Sequence, residues 1–279
     1  MQQQRFEQKY IISEELALQV RDFVRCYLEL DENGIGKPNY SYPVHSLYLD
    51  SDDLRLYWST INGDKNRYKL RLRFYNNNPD TPVFFEIKRR MNNCILKQRG
   101  GVKREAVTRL LSGHLPEPDD LISSNNVKQL SALQHFCQLM HQLQARPKAH
   151  IAYSREAYVP HDDNSARLTM DRMVRSEPEL TPRLDTEMMN PILVWGRDVV
   201  LELKFTNRFP DWFREMTQVF NLRTCGAAKY VDGVALLGEY QLSPRRGHSL
   251  LGPDAGMMDE TNLLPINGQE RTLSERLTP

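Results

Sequence analysis

The chain has little cysteine: Cys26, Cys94, Cys137 and Cys225 are the four in 279 residues, and they stand far apart. That spacing matches no local zinc pattern and is too sparse for a disulfide scaffold, so a reducing compartment, the cytoplasm, is expected. No run approaches the roughly eighteen apolar residues of a membrane span, and Met1 to Tyr10 is polar and charged, without an apolar signal segment. Membrane association would have to come through a membrane-protein partner at the inner face. A surplus of charge is missing too. The 37 Lys and Arg against 36 Asp and Glu leave +1, so bulk charge does not advertise nucleic acid and any basic site has to be a local concentration. The Walker-type glycine-lysine pair and the dinucleotide glycine pattern are both absent, which argues against a P-loop or doubly wound nucleotide fold. The seven histidines form no metal-ligand spacing.

What is present is a regular row of charge. Arg67, Lys69, Arg71 and Arg73 alternate with Tyr68, Leu70, Leu72 and Phe74, and the turn-like run Asn76-Asn77-Asn78-Pro79-Asp80 separates them from Val83-Phe84-Phe85-Glu86-Ile87-Lys88. A strand has a side-chain period of two, so four cations share one face and apolar groups the other. Buried charge costs several kcal/mol per ion unless paired or liganded. The charged face therefore meets either water, as one wet face of an ordinary antiparallel sheet, or something multiply anionic. Recurrence favours the second account: Glu202-Leu203-Lys204 repeats the Glu-apolar-Lys pattern, and Arg155 and Arg167 stand in further alternating stretches.

The rest of the chain reads as α+β. Arg5 to Ile12 is expected as a strand with Glu7 and Lys9 on one side, and Ser13 as the N-cap of a helix with Glu14 and Glu15 in its first turn. Val44 to Asp50, Ala149 to Val159, Ala166 to Val174 and Val199 to Phe205 read as strands, and Met91 to Val102 as a strand or a fraying end. Lys103 to Ser112 fits a short helix. Val127, Leu130, Leu133, Phe136, Cys137, Met140 and Leu143 recur at helical intervals, giving a helix over Asn126 to Gln144 that Pro147 stops. Trp212 to Leu222 form a helical stripe ending near Gly226, with Lys229 at its far end. Asp162-Asp163-Asn164 reads as a hairpin loop. No linker divides residues 1–240, and 241–279, rich in Gly, Pro, Asn and Ser, reads as a flexible tail. Several hairpin-linked strands and a few helices predict one domain whose antiparallel sheet is large or closed. A closed sheet with a charged interior would be a tunnel.

Such residues suit phosphate. Arginine grips phosphate oxygens in pairs, and lysine supplies a compact point charge. Arg71, Arg73, Lys88, Arg155, Arg167 and Lys204 could together bind a triphosphate or a longer phosphate chain. In Glu-x-Lys the carboxylate can hold a hard divalent ion, magnesium or manganese, while the cation holds phosphate. Glu202 is the first candidate ligand, with Glu7 and Glu86 behind it. A salt-bridged, solvated sheet face remains the competing account of the same pairs.

Five motifs in order, Arg5-x-Glu7-x-Lys9-Tyr10, Ser46-Leu47-Tyr48-Leu49-Asp50, Lys69-x-Arg71-x-Arg73-x-Tyr75, Phe85-Glu86-Ile87-Lys88 and Glu202-Leu203-Lys204-Phe205, resemble the VTC domain. This is the polyphosphate polymerase branch of the CYTH-like triphosphate tunnel metalloenzyme superfamily. The resemblance spans roughly Arg5 to Tyr240. It implies a closed antiparallel β tunnel with flanking helices that uses a divalent metal, Mn²⁺ or Mg²⁺, and passes the terminal phosphate of ATP to a growing polyphosphate chain. It also implies phosphate contacts at Lys9, Arg71, Arg73, Lys88, Arg155, Arg167, Lys204 and Lys229, and a metal at Glu202. Where the superfamily's triphosphatase and cyclase-like branches resemble Glu-x-Glu-x-Lys, this chain has Arg5-Phe6-Glu7-Gln8-Lys9. Arginine in place of the first carboxylate favours binding a longer anion over hydrolysis at a two-metal site. Hydrolysis of triphosphate or short polyphosphate in the same tunnel, and polyphosphate binding without catalysis, stay open. RNA binding would need exposed stacking aromatics beside the cations, whereas Tyr68, Leu70, Leu72 and Phe74 alternate away from the basic row.

Overall fold

The computed structural model describes residues 5–92, 94–161 and 165–243, with ten strands and six helices among them. β1 (Arg5–Ile12) ends at Ser13, whose hydroxyl accepts from the Leu16 amide and so caps α1 (Glu14–Val24). β2 (Glu29–Leu30) and β3 (Ser41–Asp50) follow. The buried Asp50 carboxylate accepts from the amides of Ser51, Leu56 and Tyr57, closing the free N–H groups at the start of α2 (Arg55–Ile61). β4 (Asn66–Phe74), β5 (Val83–Met91) and β6 (Cys94–Val102) form an antiparallel meander, so of the two readings for the segment to Val102, a strand or a fraying end, it is a full strand. After α3 (Ala106–Leu111) comes α4 (Val127–Leu143), capped by Asn126 and ended by Gln144 at φ 52°. Pro147 does not stop this helix. It lies inside β7 (Arg146–Val159), opposite Leu49, where the β3–β7 register shifts. Irregular pairing is where a residue without an N–H is tolerated.

The chain continues through β8 (Ala166–Pro178), β9 (Ile192–Leu193) and β10 (Val199–Thr206) to α5 (Asp211–Val219) and α6 (Lys229–Leu237). The helical stripe from Trp212 therefore ends earlier than expected, and Lys229 opens a helix of its own. The expected loop at 162–164, and residues 244–279 of the tail expected over 241–279, lie outside the described residues; at the start of that tail Leu242 and Ser243 are instead wholly buried.

Strand order is β7-β3-β4-β5-β6-β1-β10-β8, and β7 also pairs with β8, so these eight strands close on themselves. The β6–β1 junction is a single pair, Arg5 with Ile95. Outward-facing rows carry the core. Leu70, Leu72, Phe85 and Ile87 pack under Leu133, Phe136 and Met140 of α4. Tyr10, Leu168, Leu201 and Leu203 pack under Val20 and Val24 of α1 and Phe213 and Met216 of α5. Each such side chain contributes roughly 1.5–3 kcal/mol on burial, which lets the opposite face of the same strands remain charged.

One helix sits on that opposite face. Tyr230, Val231 and Val234 of α6 pack against Val44, Ile151 and Val200, which share strand parity with Tyr48, Tyr153 and Glu202. The approach is close at Gly233, where a Cβ would meet Ser176 Oγ at 2.6 Å and Ser176 Cβ at 2.9 Å. Alanine in a helix interior gains about 1 kcal/mol over glycine, but overpacking costs about 1–3. Gly233→Ala is accordingly expected to lower the thermal midpoint; a raised midpoint would mean α6 is not held this tightly. No helix among the described residues is long and apolar enough to cross a membrane.

Candidate functional site

The ring encloses a cavity of about 730 Å³. Register places its charges. Across β4, β5 and β6, Lys69, Lys88 and Lys97 form one row and Arg71, Glu86 and Arg99 the next. Across β1, β10 and β8, Lys9, Glu202 and Thr169 stand level, beside a row of Glu7, Lys204 and Arg167. Arg155 on β7 faces Asp171 on β8. Of the eleven residues singled out in the sequence, ten line the cavity: Glu7, Lys9, Arg71, Arg73, Lys88, Arg155, Arg167, Glu202, Lys204 and Lys229.

The eleventh, Glu86, is wholly buried and is not among the lining residues. Its carboxylate is held by Arg71 at 2.7 Å, Lys97 at 2.6 Å, Arg99 at 3.4 Å and Arg73 at 3.8 Å. That makes it the counter-ion behind the basic wall rather than a donor facing a metal. Arg67, expected beside Lys69, is outside the lining as well, and its guanidinium donates to the Asp64 carbonyl.

Glu202 anchors the other half. It meets Lys204 at 2.5 Å, Lys229 at 2.8 Å, Lys9 at 3.6 Å and Arg155 at 3.7 Å. Asp171 stands behind, taking Arg155 through two hydrogen bonds of 2.7 Å and Lys229 at 2.7 Å. Glu7 accepts from Lys88 at 2.9 Å and contacts Lys9 at 3.3 Å. Burial alone would push Glu202 up, but Lys204, Lys229, Lys9 and Arg155 overcome it and hold the carboxyl well below its usual range. Glu7 is likewise held down by Lys88 and Lys9 against its burial. Lys204 is pushed down to about 8, burial outweighing the attraction of Glu202.

Tyrosines support the cations. Tyr153 accepts from Arg73 at 3.1 Å, and Arg155 and Lys229 stand 5.1 and 5.0 Å from its ring centroid. Tyr48 accepts from Arg71 at 3.0 Å and stacks on Tyr230, whose hydroxyl donates to Asp50. Sequence reasoning gave no role to Tyr153, Asp171, Lys97 or Arg99. Strand parity was a usable signal: Lys97 and Arg99 alternate as Lys-x-Arg, and Asp171 shares parity with Arg167.

Eleven lysine and arginine side chains line the cavity against two glutamates, and counting Glu86, Asp171 and the Asp31 that pairs with Arg167 behind the wall still leaves a formal surplus of six. Among the described residues no three His, Cys, Asp or Glu side chains gather as a metal cage. Glu7 and Glu202 nevertheless suit a hard divalent ion. Both are ionised, both supply oxygen, and Lys9 bridges them. Magnesium is commonly held by one or two carboxylates, with phosphates and water completing the shell.

An antiparallel strand ring with a cationic interior defines a tunnel protein. The sequence matches the VTC domain model over residues 4–238, and the chain belongs to that family. No curated protein matches it. Among solved structures it is similar to a candidate adenylate cyclase from Bacillus halodurans, at 14% identity over 80% of this chain and 93% of that one, TM-score 0.46. A Pyrococcus horikoshii protein is similar at 11% identity over 84% and 99%, TM-score 0.41. So is a Hippeastrum protein with a dominant triphosphatase activity, at 11% over 84% and 95%, TM-score 0.47.

Proposed function

We propose that this chain is a metal-dependent polyphosphate polymerase that transfers the terminal phosphate of ATP to a polyphosphate chain held in the tunnel. The observation that carries this reading is the surplus of six cations spread over a cavity of about 730 Å³, room and charge for several phosphates in line. Membership of the VTC domain family supports it. A terminal oxygen of the chain attacks the γ-phosphorus, the bond from that phosphorus to the β,γ-bridging oxygen breaks, and ADP leaves. Such a transfer needs positioning and charge stabilisation rather than a protein nucleophile. Lys9, Arg155, Lys204 and Lys229 would hold the phosphates nearest Glu202, with Arg71, Arg73 and Lys88 on the facing strands and Arg167 beyond Lys204. Magnesium or manganese at Glu202 and Glu7 would supply Lewis acidity toward phosphate oxygens. The cytoplasm supplies ATP and keeps the four free cysteines reduced.

The test is incubation with ATP labelled at the terminal phosphate and either metal, with products separated on a gel. Labelled polymer is expected. Free phosphate alone would move the reading to a tunnel phosphatase, and neither product would move it to a binding role.

A further inference from the structure

Of the eleven cations lining the tunnel, ten have a carboxylate within ion-pairing distance. Lys69 has none among the described residues. It stands on β4 directly across from Lys88, and like charges placed opposite one another in a sheet repel. The charged groups facing it are Lys88 from β5, Lys9 from β1 and Asp232 from α6, with Arg67 on its own strand. None neutralises it. Lys9 and Lys88 are cations themselves, each already drawn to Glu7. Asp232 is turned to its own helix, accepting from the Ala228 amide at 2.8 Å. Burial, reinforced by Lys9 and Lys88, pushes the Lys69 ammonium down to about 7.

We propose that Lys69 contacts the bound polyanion and gains its proton with it, the phosphate oxygens serving as the counter-ion that the protein does not provide. The balance is one neutral amine plus one proton from solvent giving one ammonium, with no bond made or broken on phosphate. This rests on the polyanion reading above and adds to it a coupling between binding and proton uptake. Ten cations are neutralised in part by the fold, and the eleventh is neutralised by the substrate. Affinity for a phosphate chain then weakens as pH rises through the range where the empty tunnel leaves Lys69 uncharged.

The experiment is calorimetric titration with inorganic tripolyphosphate, without metal, on the wild type, Lys69→Met and Lys69→Arg, in two buffers of different ionisation heat. Proton exchange by the ligand itself is common to all three proteins. The wild type is expected to take up close to one proton more than either variant at about pH 8. Its affinity should fall about tenfold relative to Lys69→Arg between about pH 6 and about pH 8, as the charged fraction falls. Arginine stays protonated throughout, so Lys69→Arg keeps the contact and loses the slope, which a purely structural lysine would not do. Binding with equal proton uptake and equal pH slope in all three proteins would overturn the role of Lys69 alone. No binding of tripolyphosphate by the wild type at about pH 6 would overturn the polyanion reading, and this inference with it.

Discussion

Glu202→Gln is expected to lower metal-dependent turnover of ATP by at least about 10²-fold while leaving tripolyphosphate binding intact or tighter. The magnitude follows from metal sites, where loss of a group that only supports a ligand costs about 10–100-fold, and Glu202 would be a ligand itself. The opposite sign for binding follows from its neighbours. Glu202 partly neutralises Lys204, Lys229, Lys9 and Arg155, so removing its charge frees four cations for phosphate. Glutamine keeps the shape, and Asp171 still holds Arg155 and Lys229, so the fold should survive. Turnover assays alongside metal-free titration check both halves. An unchanged rate would exclude Glu202 from essential metal binding, and a parallel loss of binding would make it a support for the cations instead.

The charged faces were legible because strand parity survives errors at strand ends. Alternation alone put Lys69, Arg71 and Arg73 on one face and Leu70, Leu72 and Phe74 on the other, as they are. Pairing was not legible in the same way. Glu86-x-Lys88 and Glu202-x-Lys204 are the same local pattern, yet β4 and β6 place Glu86 between Arg71 and Arg99, whereas β1 and β8 place Glu202 between Lys9 and Thr169. One carboxylate is enclosed and the other faces the cavity. Nothing within either motif encodes that difference, because β1 and β10 meet across most of the chain. Lys229 was legible as a cation from the family resemblance, but its helix was not. α6 buries Tyr230, Val231, Gly233 and Val234, a short run without the strand alternation that made the other elements visible.

Glu86→Gln is expected to destabilise the folded chain by about 3–5 kcal/mol, the usual cost of leaving a buried ion pair with one partner. Four cations lose a shared counter-ion. Lys97 and Arg99, with side chains 43% and 36% exposed, can turn toward water, but Arg71 and Arg73, at 13% and 8%, cannot. The pH dependence has a fixed sign. Burial would raise the Glu86 carboxyl, but Arg73, Arg71 and Lys97 hold it well below its usual range. Its stabilising effect is therefore present above the unfolded-state value of about 4.3 and is lost as pH falls through the lower folded-state value. The contribution of the Glu86 carboxyl itself should shrink only in acid, while Lys97, which burial pushes down to about 7 against the pull of Glu86, adds a pH dependence of its own near neutrality. Tripolyphosphate supplies the missing negative charge from the cavity side. It should bind the variant more tightly and so raise the variant's stability by more than the wild type's, each gain following mass action at about 2.7 kcal/mol for ligand at a hundred times its dissociation constant. Urea unfolding with and without the ligand measures both effects. A loss below about 1 kcal/mol, comparable to an exposed pair, would show that the basic wall does not depend on Glu86. Equal ligand stabilisation of the two proteins would separate that wall from the polyanion.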